Sequence, residues 1–451
     1  MPQPKTIAIV HYRVGRTDGV SLEIEKRRSI LEGLGHEVKV ISGPVQNGSD
    51  FVIEELEFDT PGIKEIKENS FKYFGKQTLP PQALLTKIHS VAARIKDAFL
   101  RFVAQQPVHA LLLHNIFSHG RHIAAASAFA DIVKNLNIPV ISTNHDYYWE
   151  RIEYQEPACE AIGAYLHQYV PPNYANITHV SINSLAQKEL KKKKGIDSVV
   201  FPDVFDFKEP PWRRDDYNAD FLAHIGLKAH DLIVLHATRI VERKAIELAI
   251  QFVKELSKHK HELIGRRLYN GKILTKDSSI VLVLAGYCER SAQSYLEDLK
   301  SEIAAAAIGT KFVHHLIAAR RRQEPSKLYS LWDAYVFADL VTYTSLFEGW
   351  GNQFIEAVFA RKPVVLFEYP VFKADIQPQG YAYVSLGDTL AGHTNSGLAV
   401  LPNHTVRQAV GETLQVLTSE ATTAKLNRNF QIGSRNHDYD VLKRFLANHI
   451  Q

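Results

Sequence analysis

The chain has 451 residues, of which 45% are hydrophobic and 23% are charged, a composition typical of soluble globular proteins. This length predicts two domains, and the formal net charge of +4 gives no indication of a nucleic-acid-binding protein. Two cysteines cannot form a disulfide framework, and no apolar run is long enough to span a bilayer, so we expect a cytoplasmic protein. The lysine run at 191–194 favours a solvated helix end, with peripheral contact to anionic lipid as the alternative.

Short β-branched runs alternate with longer amphipathic patterns along the first half of the chain. Such alternation is typical of parallel strands joined by crossover helices, so we expect a doubly wound sheet. The predicted strands lie at residues 6–10, 37–41, 110–114, 139–143, 179–182 and 199–201, and the predicted helices at 19–34, 83–104, 119–136 and 184–194.

Alternation stops at residues 205–220, where paired prolines and mixed charges predict a linker, and then starts again. The later strands are predicted at 232–237, 280–285, 312–315, 340–344, 364–367 and 381–384, and the later helices at 242–258, 290–307, 325–337, 352–360, 406–418 and 440–448. We therefore expect an α/β protein in which two doubly wound, Rossmann-like domains face each other across a cleft. The expected parts are an N-terminal acceptor-side domain at 1–207, a linker at 208–228, a C-terminal donor domain at 229–430 and a tail helix at 431–451 that packs toward the N-terminal domain.

A glycine-bearing turn, FEGWGNQFIEA at residues 347–357, follows the predicted strand 340–344. Gly349 and Gly351 permit a tight turn and a close approach of the backbone to another group. The helix that begins near Asn352 presents amide groups without intrahelical partners, which suit a phosphate.

Two glutamates flank this turn, and each is suited to hydroxyl groups. Glu348 is expected to accept hydrogen bonds from hydroxyls, because a carboxylate repels a phosphate. Glu356, deeper in the predicted helix, could take a ribose diol in the same way. A ligand with hydroxyls at both ends and phosphates between them is a nucleotide sugar; the alternative is a charged helix edge after an ordinary loop.

The longer segment SLFEGWGNQFIEAVFARKPVV, residues 345–365, resembles the signature of retaining nucleotide-sugar glycosyltransferases of glycosyltransferase family 4, which have the GT-B fold. That signature has two glutamates separated by seven residues and then a Pro-Val-Val strand, matched here by Glu348, Glu356 and residues 363–365. The resemblance implies that Glu348 holds sugar hydroxyls and Glu356 binds ribose. It implies a donor-binding turn made of Gly349, Trp350, Gly351 and Asn352.

The segment HATRIVERK follows the predicted strand 232–237 and carries Arg239 and Lys244. Cleavage of a glycosidic bond to a nucleoside diphosphate builds negative charge on the leaving phosphate, and preorganised cations lower that barrier. In the resembling family the matching arginine and lysine hold the donor diphosphate. The alternative is a pair of solvated cations at a helix start.

The first domain has fainter signals. Residues 10–38 show the strand, glycine-bearing loop and helix of the same family, so Gly19 is expected to contact the donor phosphate, although the family often has paired glycines where this chain has Asp18-Gly19. The alternatives for this loop are an acceptor contact and plain turn chemistry. His145 ends a predicted strand, and the family commonly has a histidine there, near the reacting phosphate and acceptor; His114 ends another strand.

We therefore expect an enzyme that moves a hexose from a nucleoside-diphosphate sugar to an acceptor hydroxyl and keeps the anomeric configuration. No metal site is expected, because no Asp-x-Asp motif ends a predicted strand and no histidine pair has ligand spacing on a predicted helix with a third ligand in view. No cofactor is expected beyond the donor substrate. The alternatives are a GT-B-fold epimerase or phosphorylase, or a non-catalytic nucleotide-sugar-binding protein.

The acceptor is open among a glycan, a lipid-linked sugar and a small molecule. The segment 52–78, dense in charge and aromatic residues, is expected to form either an acceptor-side loop or an ordinary surface insertion. A second insertion, at 259–278, precedes the predicted strand 280–285 without an indicated role.

Overall fold

The computed structural model describes residues 3–15, 19–44 and 48–450. The chain divides into two compact units, the first made of Met1–Val204 with Tyr439–Gln451 and the second of Phe205–Asp438. Each unit is built around one parallel sheet. None of the helices in the described part of the chain is long and apolar enough to cross a membrane.

The first unit has a seven-stranded parallel sheet in the order β3-β2-β1-β4-β5-β6-β7. Its strands are β1 (Thr6–Val10), β2 (Glu37–Ser42), β3 (Phe51–Val52), β4 (Ala110–His114), β5 (Val140–Asn144), β6 (Ile177–Ser181) and β7 (Val199–Val200). Its first six helices are α1 (Gly19–Gly33), α2 (Pro61–Ser70), α3 (Pro81–Gln105), α4 (Ile123–Asn135), α5 (Glu160–Tyr169) and α6 (Ser184–Lys194). The doubly wound sheet predicted for this half is confirmed.

Three short elements of this unit, β3, α2 and α5, are not among the predicted ones, because segments of two to ten residues carry little periodicity. Helix α2 lies within the segment 52–78 and buries Ile63 and Ile66, while Phe71 at its end is fully buried in the same core. The segment is therefore part of the core of this unit rather than a surface insertion alone.

The second unit has a six-stranded parallel sheet in the order β10-β9-β8-β13-β14-β15, and two small two-stranded sheets. Its strands are β8 (Leu232–His236), β9 (Ile280–Leu284), β10 (Gly309–Phe312), β11 (Ile317–Ala318), β12 (Tyr329–Ser330), β13 (Leu340–Tyr343), β14 (Val364–Leu366), β15 (Val384–Ser385), β16 (Gly392–His393) and β17 (Ala399–Val400). Its helices are α7 (Phe221–His224), α8 (Ile246–Lys258), α9 (Gln293–Ala306), α10 (Leu331–Phe337), α11 (Asn352–Phe359), α12 (Asn403–Thr418) and α13 (Thr422–His437).

Several predicted elements of this unit have the wrong bounds; the strand predicted at 381–384, for example, is observed at Val384–Ser385. The strand predicted at 312–315 ends at Phe312, where its ladder with β9 ends, and His314 begins a tight helical turn. The helix predicted at 325–337 begins only at Leu331, because Ser330 and Asp333 form a reciprocal capping box there. Helix α13 is absent from the predicted elements because it is largely polar.

The insertion at 259–278 closes the amino end of the second sheet. Leu263, Leu268 and Leu274 are buried in the core of this unit. The ammonium group of Lys272 lies 2.5 Å from the carboxylate of Asp339, the residue that precedes β13. Ligands bind at the opposite, carboxyl ends of such strands. The insertion therefore stabilises the fold and lies away from the expected ligand site.

The last helix, α14 (Tyr439–His449), belongs to the first unit although it follows the second in the chain. It packs against α1, and Leu442 and Leu446 share a buried cluster with Ile24 and Leu31 of that helix. The first unit is therefore completed by the end of the chain.

Candidate active site

The centre of the second sheet is a point where the strand order reverses. Strand β8 pairs with β9 on one side and with β13 on the other. Loops that leave the carboxyl ends of such strands diverge and form a crevice, where open α/β sheets bind ligands. Arg239, Lys244 and Glu348 all lie on loops that leave β8 or β13.

The loop after β8 is pressed against the loop after β9. The amide of Ile240 donates a hydrogen bond of 2.9 Å to the carbonyl of Tyr287. A Cβ atom on Gly286 would lie only 1.8 Å from the carbonyl oxygen of Thr238, so a side chain at this position would force the two loops apart. This close approach lets the guanidinium of Arg239 pair with the carboxylate of Glu289.

The helix predicted at 242–258 begins only at Ile246, because Glu242–Lys244 form a tighter helical turn that ends at Ala245, with φ of 45°. The hydroxyl of Thr344, just beyond β13, donates to the carbonyls of Lys244 and Ala245 at 3.1 and 2.9 Å. These bonds fix the tight turn against the segment that follows β13.

The fixed turn brings two cations onto the carboxylate of Glu348. The ammonium group of Lys244 contacts one carboxylate oxygen, and Nη1 of Arg243 lies 2.7 Å from the other. The Lys244 side chain is only 4% exposed, whereas that of Arg243 is 40% exposed. Lys244 thus forms a buried ion pair with Glu348, whereas Arg243 contacts the same carboxylate from the solvent side.

Burial and charge act in opposite directions on this pair. Burial lowers the pKa of Lys244, and the carboxylate of Glu348 opposes that effect, while Arg243 and Arg239 add to it. Burial alone would raise the pKa of Glu348, but Lys244 and Arg243 outweigh it and hold the pKa below its usual range. The carboxylate is therefore ionised at neutral pH and is surrounded by more cations than it can neutralise.

The glycine turn is fixed by a buried tyrosine. The Tyr369 hydroxyl donates to the carbonyl of Trp350 at 2.8 Å, and a Cβ atom on Gly351 would lie 2.6 Å from that hydroxyl. The ring of Trp350 is buried against His437, with ring centroids 5.3 Å apart. The buried ring of Trp350 therefore packs beneath the turn and stabilises it. Gly349 and Asn352 belong to the same turn.

Glu356 lies one helical turn into α11 and has a partner that the sequence did not indicate. The hydroxyl of Tyr335, from α10, donates to its carboxylate at 3.1 Å and to the carbonyl of Gln353 at 3.3 Å. Burial raises the pKa of Tyr335 well above its usual value, so this hydroxyl stays a neutral donor. Tyr335 orients the carboxylate of Glu356.

His145 lies at the carboxyl end of β5 in the first unit. Its amide donates to the side-chain oxygen of Asn115 at 2.9 Å, Nδ1 lies 3.2 Å from the same oxygen, and Nε2 lies 3.3 Å from Asp203. Burial lowers the pKa of His145, but Asp203 outweighs burial and the net pKa is raised. Burial lowers the pKa of His114, whose ring centroid is 6.2 Å away, well below its usual range.

Gly19 begins α1, and nothing lies within 4 Å of the position that a Cβ atom would take. Gly15, at the other end of the predicted phosphate loop, has a positive φ of 73°. Asp18 lies outside the described residues, so the role predicted for this loop stays a prediction.

The structure brings Lys244 and Glu348 into contact and places Arg239 close enough to affect the pKa of Lys244. Glu356 belongs to the same unit, whereas His145 and Gly19 belong to the other. Arg243 and Tyr335 are not among the predicted site residues. Arg243 is adjacent to Lys244 in the sequence and could have been included, but the Tyr335 contact joins two helices and leaves no local signal.

A metal site was not expected from the sequence. Over residues 3–15, 19–44 and 48–450, no group of three or more histidine, cysteine, aspartate or glutamate residues could hold a metal ion.

Two Rossmann-like sheets, with a cation cluster and a glutamate-bearing turn at the switch point of the second, define a glycosyltransferase of the GT-B fold. The sequence model of the family described as glycosyl transferases group 1 matches residues 220–385, which include this cluster and turn. The chain belongs to the glycosyl transferase group 1 family, and the prediction that it is an enzyme is confirmed.

Two relatives align over nearly the whole chain. A mannosylglucosylglycerate synthase of Petrotoga mobilis is 38% identical and the match covers 94% of this chain and 95% of the relative. A protein of the same name from Thermotoga maritima is 33% identical over 98% of this chain and 99% of its own. The catalytic domain of starch synthase IV from Arabidopsis thaliana, solved with ADP and acarbose, has the same fold, with a TM-score of 0.58, 11% identity and coverage of 99% and 98%.

Proposed function

We propose that this enzyme transfers a mannosyl unit from nucleoside-diphosphate mannose to glucosylglycerate, keeps the anomeric configuration and belongs to glycosyltransferase family 4. The two relatives are named for the product of such a transfer. The observation that carries the proposal is the buried pair of Lys244 and Glu348, with Arg243 and Arg239 beside it, at the switch point of the second sheet.

The cations of this cluster would bind the donor diphosphate. Negative charge builds on the leaving phosphate as the bond to the sugar breaks, and preorganised cations in a partly dry site stabilise that charge. Arg239 pairs with Glu289 through side chains that are 43% and 33% exposed, and ion pairs this exposed contribute little stability. Arg239 can therefore exchange Glu289 for a phosphate oxygen at small cost, while Lys244 is already in place.

Glu348 would have two tasks in this scheme. Its contacts with Arg243 and Lys244 hold the buried ammonium group in position before the donor arrives. A carboxylate has about four lone-pair sites, so it can accept hydrogen bonds from sugar hydroxyls at the same time. The carboxylate of Glu356, oriented by Tyr335, would take the ribose hydroxyls.

His145, in the first unit, would act in the same reaction. Its raised pKa favours the imidazolium form, which can donate a hydrogen bond to a sugar hydroxyl or to the leaving phosphate. In a retaining transfer of this kind, the acceptor attacks from the face of the leaving group, and the departing phosphate helps to take the acceptor proton. The proposed reaction uses protein cations at the phosphate and needs no metal ion.

A competition experiment tests the donor and the acceptor together. The enzyme is incubated with glucosylglycerate and an equimolar mixture of sugar nucleotides, and mass spectrometry shows which nucleotide is consumed. We expect loss of a mannose nucleotide and a product one hexose heavier than the acceptor, with an α-linkage by NMR if the donor is an α-mannoside. Consumption of another sugar, or of none, would overturn the proposal.

A further inference from the structure

One arginine at the carboxyl edge of the first sheet forms no ion pair with any residue that the structure describes. Arg121 lies in the helical turn Gly120–His122, on the connection that leaves β4, and is half-buried. Among the residues that the structure describes, no carboxylate lies within 4 Å of its guanidinium group. A partly buried charge without a partner is costly, so its position needs another explanation.

Aromatic side chains hold this guanidinium in place. Its central carbon lies 4.7 Å from the centroid of the Phe58 ring, a distance at which the ring attracts a cation. Tyr154 is buried close by, and the charge of Arg121 opposes the rise that burial causes in the pKa of its hydroxyl. A Cβ atom on Gly120 would lie 2.7 Å from both Phe71 and Tyr154, so this glycine lets the backbone before Arg121 lie directly on the aromatic floor.

A second arginine contacts the same ring but, unlike Arg121, is paired with acids. Arg13 follows β1, lies 3.9 Å from the Phe58 centroid and pairs with the carboxylates of Glu57 and Asp59. These two carboxylates neutralise the charge of Arg13. Arg121 has the same aromatic support without the acids, which leaves the hydrogen-bonding edge of its guanidinium group available to a ligand.

Arg121 also lies at the part of the sheet where open α/β folds bind ligands. Strand β1 pairs with β2 on one side and with β4 on the other, so the strand order of the first sheet reverses there. Arg13 and Arg121 lie on the two loops that diverge from this point. Phe58, between them, comes from the segment 52–78, which the sequence indicates as a candidate acceptor-side loop.

We propose that Arg121 binds the carboxylate of the acceptor, an inference that rests on the proposed transfer to a glycerate-bearing sugar. A guanidinium fork donates two parallel hydrogen bonds to a carboxylate, and the flat ring of Phe58 keeps that fork in one plane. A neutral glycoside of the same size has no group for this contact. Arg121 would thus select acidic acceptors and leave the donor reaction to other residues.

Two acceptors and three variants test this site. Transfer and calorimetric affinity are measured with glucosylglycerate and with its neutral analogue glucosylglycerol, for the wild type, Arg121→Gln, Arg121→Lys and Arg94→Gln. Arg94 is the matched control, because it is exposed and pairs with Glu55 of the same segment. We expect Arg121→Gln to raise the KM and Kd for glucosylglycerate on the order of 10- to 100-fold, with part of the loss recovered in Arg121→Lys.

The same measurements separate this inference from the proposed function. The donor KM, and the KM for glucosylglycerol, should be unchanged in Arg121→Gln, and Arg94→Gln should match the wild type throughout. A wild type that binds both acceptors equally would overturn the role of Arg121 even if mannosyl transfer is observed, and this comparison needs no variant. Binding that prefers glucosylglycerate, without transfer of mannose to it, would overturn the proposed function and support the carboxylate site.

Discussion

The two sheets carry different chemistry at the carboxyl ends of their strands. In the second unit the cations and acids at the strand ends pair with one another: Lys244 and Arg243 with Glu348, and Arg239 with Glu289. In the first unit the strand ends carry buried histidines, of which His145 is paired with Asp203 and His114 is held neutral by burial.

The difference indicates what each unit is built to bind. An ion cluster whose members already hold one another would be preorganised for the diphosphate that every nucleoside-diphosphate sugar carries. The first unit combines buried histidines with Arg121, whose charge has no acid beside it among the described residues. That arrangement suits a more variable ligand, in which one or two contacts decide specificity.

The largest effect should come from the buried lysine of the second unit. Lys244→Ala removes the cation nearest Glu348 and a stabilising charge at the leaving phosphate, so we expect kcat/KM to fall on the order of 10²- to 10³-fold. Steady-state kinetics measures the loss, and the melting temperature shows whether the variant is folded. Lys258→Ala, at an exposed lysine of α8 that pairs with Glu255, is the control. A loss below tenfold in folded Lys244→Ala would contradict the diphosphate role.

A smaller effect, with a different pH signature, is expected in the first unit. The pKa of His145 is raised by Asp203 against burial, so the protonated form persists to higher pH than in a free histidine. We expect activity to decline as pH rises through this pKa, and Asp203→Asn to move that decline to lower pH. His145→Asn should lose on the order of 10²-fold in kcat and abolish the decline, with the exposed His89→Asn as control. A profile that is unchanged in Asp203→Asn would remove His145 from the reaction.

The same contrast explains what could be predicted from the sequence. The strands of both sheets are apolar runs bounded by turn residues, so β1 and β4 are predicted with the bounds that they have. Two members of the cluster in the second unit are also predictable from the sequence, because Lys244 and Glu348 each lie within a short motif that resembles a family pattern. Arg239 and Glu356 follow from the same two patterns.

Contacts between distant segments were not predictable. Phe58 and Arg121 are 63 positions apart in the numbering, and neither belongs to a motif. Tyr335 reaches Glu356 from another helix, and Gly286 matters only because the carbonyl of Thr238 lies where its side chain would be. The bounds of α8 also depend on such a contact, since Thr344 holds the turn that delays the start of the helix.

The smallest effect should come from a single hydroxyl in the second unit. Tyr335→Phe removes the hydrogen bond to Glu356 and keeps the buried ring, so the carboxylate loses its orientation but not its charge. A lost hydrogen bond of this kind costs about 1 kcal/mol, which corresponds to a rise in the donor KM of roughly fivefold with little change in kcat.

The matched control for this variant lies at the opposite end of the same sheet. Tyr269 donates one hydrogen bond of 3.0 Å to the carbonyl of Asp339, so Tyr269→Phe should lower the melting temperature and leave the donor KM unchanged. If both variants change the donor KM equally, or if Tyr335→Phe changes only the melting temperature, the Tyr335 hydroxyl supports the fold and does not position Glu356 for the donor. A selective change in donor KM would instead place the ribose beside α11, where the tyrosine and the carboxylate meet.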